Sequence, residues 1–303
     1  RVGKSDIVVC EACEYVDTFL QLHPAFSVIL NIDADHLDYF GTLDNIIKSF
    51  HKFCMQTSGR ILVNGDDPNA MRAVEGVTHA EIITFGRTEA SDYYVTELNE
   101  EDTACEDFTV MHKGERVCRV NLHVPGEHNM MNALAAAAAA HTLGVDGAHI
   151  KAALEAFTGV HRRFEVLGKF GGVTVADDFA HHPTELSSVL SSAVRMGYHA
   201  VWAVFQPHTY SRTAMLLDDF AAALSIPDHV VMTEILAVRE TNTYNIHTSD
   251  LAAKIPGSCW FDSFEKIADY VMAHAEENDL ILTLGGGDIY KCANLIVEKY
   301  KNR

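Results

Sequence analysis

The chain has 303 residues, 48% of them apolar, which is material for two domains with sizeable cores. Its 23 basic and 42 acidic residues leave a net charge of −19, which argues against a protein that wraps DNA or RNA, because neutralising phosphates needs clustered Lys and Arg. No apolar run approaches the roughly 20 residues that span a bilayer, no signal peptide opens the chain, and seven scattered cysteines read as free thiols of a reducing cytoplasm.

Ile7–Cys10 reads as a short buried strand and Tyr15–Leu22 as a helix. Ser27–Ile32 is a second strand, ending in Asp33-Ala34-Asp35-His36-Leu37-Asp38, at the carboxyl end of a strand where α/β sheets build sites. A helix over Asp44–Phe53, a strand over Arg60–Asn64 and a short helix after Pro68 follow. Alternating residues within 81–124, among them Phe108–Met111 and Val120–Val124, predict antiparallel strands and hairpins. An Ala-rich helix covers Asn129–Leu143 with Gly144 to end it, and another covers Gly147–Phe157. Thr158–Arg163 lacks apolar periodicity and reads as a domain junction. Beyond it strands and helices alternate: Val173–Ala176, then a helix opened by Pro183; Ala200–Phe205, then Ser211–Leu224; His229–Met232, then a helix near Ser249; Cys259–Phe261, then Phe264–His274; Leu280–Leu284, then a last helix after Gly285-Gly286-Gly287. The fold class expected is α/β, with a doubly wound, mostly parallel sheet in the second part. The expected domains are 1–158 and 159–303.

Four groups of residues could carry chemistry. Glu11 and His36 each follow a predicted strand, and a carboxylate with a neutral imidazole suits a divalent ion that also touches phosphate oxygens; solvated loop residues are the alternative. Asn129 and Asn132 share one face at a helix start and could read an adenine edge, or Asn129 could simply cap the helix. Arg162-Arg163 precede Asp177-Asp178-Phe179-Ala180-His181-His182, where a helix N-terminus favours an anion, an Asp could hold a ribose and Arg163 a phosphate; a capping loop with surface histidines is the alternative. Gln206-Pro207-His208-Thr209-Tyr210-Ser211-Arg212 sets a cation beside an imidazole, suited to a carboxylate.

Two apparent motifs are set aside. Gly3-Lys4-Ser5 lacks the upstream glycine of a phosphate loop and leads into a strand. Gly285–Gly287 lacks the spacing of a dinucleotide fingerprint and fits a tight turn in a site wall. Cys10 and Cys13 form a C-x-x-C that no second pair completes as a zinc site.

Six segments in this order resemble the ATP-dependent Mur ligase family: Glu11–Glu14, Asn31–Asp38, Pro125–Asn132, Gly159–Glu165, Asp177–Glu185 and Phe205–Thr213. The resemblance covers essentially the whole chain and is strongest to the branch that joins L-alanine to UDP-N-acetylmuramate. It implies a central ATPase domain, incomplete here, followed by a C-terminal Rossmann-like domain. It implies ATP and Mg2+ as cofactors, an acyl phosphate on the muramate carboxyl group, attack on it by the alanine amine, and a cytoplasmic place in peptidoglycan precursor synthesis. By matched position it implies Glu11 and His36 as magnesium ligands and Asn129 and Asn132 as adenine contacts. Arg163 falls on the phosphate, Asp177 or Asp178 on the ribose, and His181, His208 and Arg212 at the amino-acid end. The nucleotide-sugar domain and the glycine-rich loop of the family are expected upstream of Arg1, so the chain is expected not to turn over alone. Thr209 stands where some relatives carry Arg, which leaves Arg212 as the main carboxylate partner; neither Lys48 nor Lys52 is assigned the carbamylated lysine of some relatives. A murein tripeptide ligase of cell-wall recycling, or a non-catalytic ATP- or partner-binding remnant, are the competing readings. A zinc hydrolase lacks its motifs. No nucleic acid or membrane partner is expected.

Overall fold

The alternation of strands and helices in the second half of the chain becomes a sheet whose central strands are buried on both faces. The computed structural model describes residues 3, 5–98 and 107–302. A 3-10 helix over Tyr15–Gln21 leads into β1 (Phe26–Ile29), α1 (Leu37–Phe40), α2 (Leu43–Gln56), β2 (Arg60–Asn64), α3 (Pro68–Val74), β3 (Glu81–Gly86), β4 (Tyr93–Thr96), β5 (Asp107–His112), β6 (Glu115–Asn121), α4 (Glu127–Thr142) and α5 (Gly147–Glu155). There follow β7 (Glu165–Phe170), β8 (Val173–Asp178), α6 (Pro183–Arg195), β9 (Val201–Phe205), α7 (Tyr210–Met215), α8 (Leu217–Ala223), β10 (His229–Thr233), α9 (Thr248–Ala252), β11 (Cys259–Phe261), α10 (Phe264–His274), β12 (Leu280–Leu284) and α11 (Tyr290–Lys301). Strands β1 to β6 form one sheet in sequence order; the other sheet runs β11-β10-β9-β12-β8-β7. The fold is α/β, and among the described residues no helix is long and apolar enough to cross a membrane.

Two compact units emerge: Arg1–Thr96 with Val110–Val117 and Asn132–Gly147, and Glu97–Thr109 with Cys118–Met131 and Ala148–Arg303. In the first, Ile61 and Val63 of β2 join Ile46, Ile47 and Phe53 of α2 and Ala70, Ala73 and Val74 of α3 in one core. Thr42 caps α2 through Asn45 N, and Asp67 caps α3, whose first turn opens on Pro68. In the second, β9 sends Val201, Ala203 and Phe205 to a core with Leu186 and Leu190 of α6 and Phe220 of α8. Trp202 and Val204 point to an opposite core with Ile267 and Val271 of α10 and Ile296 of α11. This period of two with both faces covered is what a doubly wound sheet requires.

Several expectations need correction. Ile7–Cys10 forms no strand: β1 ends its sheet, no strand among the described residues pairs with this segment, and Val8 and Val9 are 87% and 90% exposed. The Tyr15–Gln21 helix is 3-10, with Val16 and Asp17 at positive φ. Within 81–124, β3 runs parallel to β2 and β4 parallel to β3, so antiparallel pairing does not begin at 81. The hairpin expectation holds for β5 and β6, sheet neighbours joined by Lys113-Gly114 with φ 49° and 88°, the form of a type I′ turn; residues 99–106 of that stretch lie outside the described residues. The helix expected over Ser211–Leu224 breaks at Leu216 into α7 and α8. Strand β7, antiparallel to β8 with a register shift between Val166 and Gly168, was not expected.

Candidate functional site

In the first unit, the turn after β1 gathers acids around an imidazole. His36 caps α1 with φ 53°, the left-handed region, and its backbone N–H donates to Asp35 Oδ1 at 2.7 Å. That geometry sets His36 Nε2 3.4 Å from Glu14 Oε1 and 3.7 Å from Asp35 Oδ2, with the Tyr15 ring 4.7 Å away. The hydrogen bond from His36 holds the Glu14 carboxyl below its ordinary range. Glu11, expected beside His36, is exposed; the carboxylate the structure pairs with His36 is Glu14. The regular C-E-A-C-E spacing held that residue in view, since Glu11 and Glu14 are three apart. Among the described residues no three His, Cys, Asp or Glu side chains are arranged to hold a metal unaided. The donor chemistry nonetheless fits magnesium, a hard ion that takes one or two carboxylates and completes its shell with water and phosphate oxygens.

The second unit brings three loops together at the carboxyl ends of adjacent strands, β8, β12 and β9. Strand β12 sits between β8 and β9 although the chain visits it last, the kind of crossover at which open α/β sheets place ligands. The His181 and His208 rings stand 5.6 Å apart, edge to face. Arg212 Nη1 donates to His208 O at 3.1 Å and faces His208 Nδ1 at 3.4 Å. Burial, with His181 and the Arg212 cation beside it, pushes the His208 imidazole down to about 4, so it is neutral near pH 7. The Gly285–Gly287 turn closes over this group: a Cβ on Gly286 would stand 3.0 Å from His181 Cγ.

Arg162 holds that turn. Its Nε donates to Asp177 Oδ2 at 2.8 Å, Nη2 to Gly285 O at 2.8 Å and Nη1 to Gly287 O at 3.0 Å, and its guanidinium lies 5.0 Å from each of the Phe179 and Tyr290 ring centres. Asp177, 2% exposed, also accepts from Thr283 Oγ1 at 2.5 Å. Asp178 accepts from Phe164 N and Ala180 N, both at 2.7 Å, and burial pushes its carboxyl up to about 6. Both aspartates thus face inward on protein partners. Arg163 turns outward, with Nη1 3.9 Å from Glu185 Oε1 and its guanidinium 5.5 Å from the Phe179 ring centre. It also lines a cleft of 590 Å3 with His123, Pro125, Val160 and Phe164.

The N-termini of α6 and α7 are already occupied by protein groups. At α6 His182 is the N-cap, its Nδ1 accepting from Thr184 N at 3.3 Å, and Glu185 reaches back to accept from His181 N at 2.9 Å and His182 N at 3.1 Å. Glu240 fills the same place at α7, accepting from Ser211 N at 2.8 Å, Ser211 Oγ at 2.5 Å and Thr209 Oγ1 at 2.7 Å. Nothing in the sequence near position 240 signalled this, because the contact closes over 29 residues or more. Asn129 lies at the start of α4 and donates through Nδ2 to Pro125 O at 2.7 Å; Asn132, on the same helix, is exposed. His128, beside Asn129, meets Ser188 Oγ at 3.0 Å, and burial lowers its imidazole.

Residues 2–140 match the Mur ligase middle domain, and residues 162–287 match the domain described as Mur ligase, glutamate ligase domain. A UDP-N-acetylmuramate–L-alanine ligase of Caldanaerobacter subterraneus subsp. tengcongensis is 41% identical over 99% of this chain and 66% of its own. One from Caldicellulosiruptor saccharolyticus is 40% identical over 98% of this chain and 67% of its own. The crystal structure of a UDP-N-acetylmuramate-alanine ligase from Thermotoga maritima superposes with TM-score 0.74 at 27% identity, over 94% of this chain and 62% of that one. A MurF ligase from Thermotoga maritima, solved in complex with ADP, shares the fold at 18% identity and TM-score 0.74, over 95% of this chain and 65% of that one. The chain thus spans about two thirds of the length of these relatives.

Proposed function

The chain belongs to the Mur ligase family, and from that premise we propose that it carries the ATP-handling and amino-acid-handling parts of an ATP-dependent ligase joining L-alanine to UDP-N-acetylmuramate. The observation that carries this reading is identity of 40–41%, sustained over 98–99% of the chain, to relatives named for that reaction. Residues 1–158 serve as the central domain and residues 159–303 as the C-terminal domain. The setting is the cytoplasmic synthesis of peptidoglycan precursors.

In this reading Arg163, the outward-facing member of the arginine pair, meets the phosphate being transferred. Asn129 and Asn132 contact adenine, and Asp177 and Asp178 stand at the ribose side, Asp177 through the Arg162 side chain it anchors and Asp178 through the Phe164 and Ala180 backbone it braces. Arg212 takes the alanine carboxylate as a planar fork. His208, neutral near pH 7, accepts or donates a hydrogen bond there without adding charge, and His181 packs edge-on against it. Glu11 and His36, with Glu14 and Asp35, would hold magnesium, which when bound supplies charge neutralisation to phosphate and acyl oxygens.

The test is an assay of ADP release on the chain and on the chain extended to the length of its relatives, with ATP, UDP-N-acetylmuramate, Mg2+ and L-alanine omitted one at a time. Release by the extended protein that needs all four supports the reading. Preference for a murein tripeptide over L-alanine would move it to a recycling ligase, and no turnover with tight ATP binding would make it a binding remnant.

A further inference from the structure

Among the described residues, one buried side-chain polar atom has no hydrogen-bond partner, the amide oxygen of Gln206. Gln206 is 5% exposed and stands at the end of β9, two residues before His208. Its backbone N–H donates to Leu284 O at 3.0 Å, which pins it to the strand that leads into the glycine turn. Its side-chain amide faces the Asp288 carboxylate. Turning the amide over would set its oxygen against that carboxylate, so the orphan atom is the oxygen. A Cβ on Gly287 would stand 2.8 Å from this oxygen and would overlap the end of the Leu236 side chain, so glycine keeps backbone bulk out of the space beside it. The tip of the Leu236 side chain borders the same space. Leu236 itself is tied to the loop after β9, donating its N–H to Pro207 O at 2.9 Å.

An amino acid is a zwitterion. Its carboxylate needs a cation and its ammonium needs acceptors. The two glutamates nearest this group, Glu185 and Glu240, are engaged with backbone N–H groups and hydroxyls. A buried acceptor left unpaired is unfavourable, and the cost is recovered when a donor arrives. We propose that the Gln206 amide oxygen accepts a hydrogen bond from the ammonium group of the incoming amino acid, whose carboxylate lies on Arg212. The proposal rests on the reading of this cluster as the amino-acid end of a ligase. It makes Gln206 the residue that distinguishes an amino acid from a simple carboxylic acid.

The experiment compares L-alanine with propionate, which has the carboxylate and no amine, by calorimetric titration into the native chain and into Gln206→Met. The native chain should bind alanine at least about tenfold more tightly than propionate, the effect of one hydrogen bond to a charged group. In Gln206→Met the two affinities should converge, with propionate binding unchanged; that unchanged binding also shows a folded site. If the variant still prefers alanine, or loses propionate as well, Gln206 is not the ammonium partner, while the ligase reading stands. If the native chain binds neither compound, the reading of the cluster falls and this inference falls with it.

Discussion

Acidic and imidazole side chains meet in both units, at the turn after β1 and at the strand ends of the second, with opposite results. In the turn after β1, Glu14 and Asp35 approach the edge of His36 in a half-exposed pocket, so the group presents negative charge and suits a cation. At the strand ends of the second unit, Glu185 and Glu240 are consumed by helix N-termini, and Asp177 by the Arg162 clamp. There Arg212, Arg163 and the two histidines define the chemistry. The same residue types make a cation site or an anion site according to how fully other partners engage the carboxylates.

The comparison breaks most visibly at Arg162. Arg162→Ala would strand the buried Asp177 carboxylate, and urea denaturation should show a loss of about 3–5 kcal/mol, the range for breaking a buried pair from one side. A loss below about 1 kcal/mol would mean the clamp is not a structural element.

Asp178 sharpens the comparison through pH. Its folded value, about 6, lies above the ordinary 3.8, so the protonated carboxyl is the favoured buried form. Its contribution is therefore fully present below pH 3.8 and lost as pH rises through 6, by about 3 kcal/mol. Unfolding of the native chain and of Asp178→Asn, measured between pH 4 and pH 7, should diverge by that amount, with the native chain the one that weakens. Parallel curves would show that the carboxyl is not held in its protonated form.

The exposed acidic turn should respond differently. Glu14→Gln should weaken Mn2+ binding, used as a probe for magnesium, by about tenfold, while unfolding shifts by less than about 0.5 kcal/mol. A stability loss as large as that at Arg162 would erase the distinction between the two regions.

Strands with both faces buried were legible because Val201–Phe205 is a continuous apolar run between turn signals and Leu280–Leu284 is interrupted only by Thr283. Strand β7 was not, since Gly168 and Lys169 interrupt its pattern and much of its pairing is made by backbone alone. Ile7–Cys10 misled because apolar letters report what could be buried, and a strand also needs a neighbour. At the site, the loops were legible and the partners within them were not. Arg162 and Arg163 are identical letters, yet one is 13% exposed at its side chain and the other 54%. Glu240 and Gln206 matter through contacts with residues distant in sequence, which no local spacing encodes.

The most direct test of the account is steady-state kinetics of Arg212→Ala and Arg212→Lys in the chain extended to the length of its relatives, with L-alanine and ATP varied separately. The account predicts that Arg212→Ala raises the KM for alanine by the equivalent of about 2–5 kcal/mol, and that Arg212→Lys, which keeps the charge without the fork, also acts chiefly on that KM, with ATP affinity barely changed in either. An unchanged alanine KM with a large loss of ATP affinity would contradict it and place Arg212 on the phosphates.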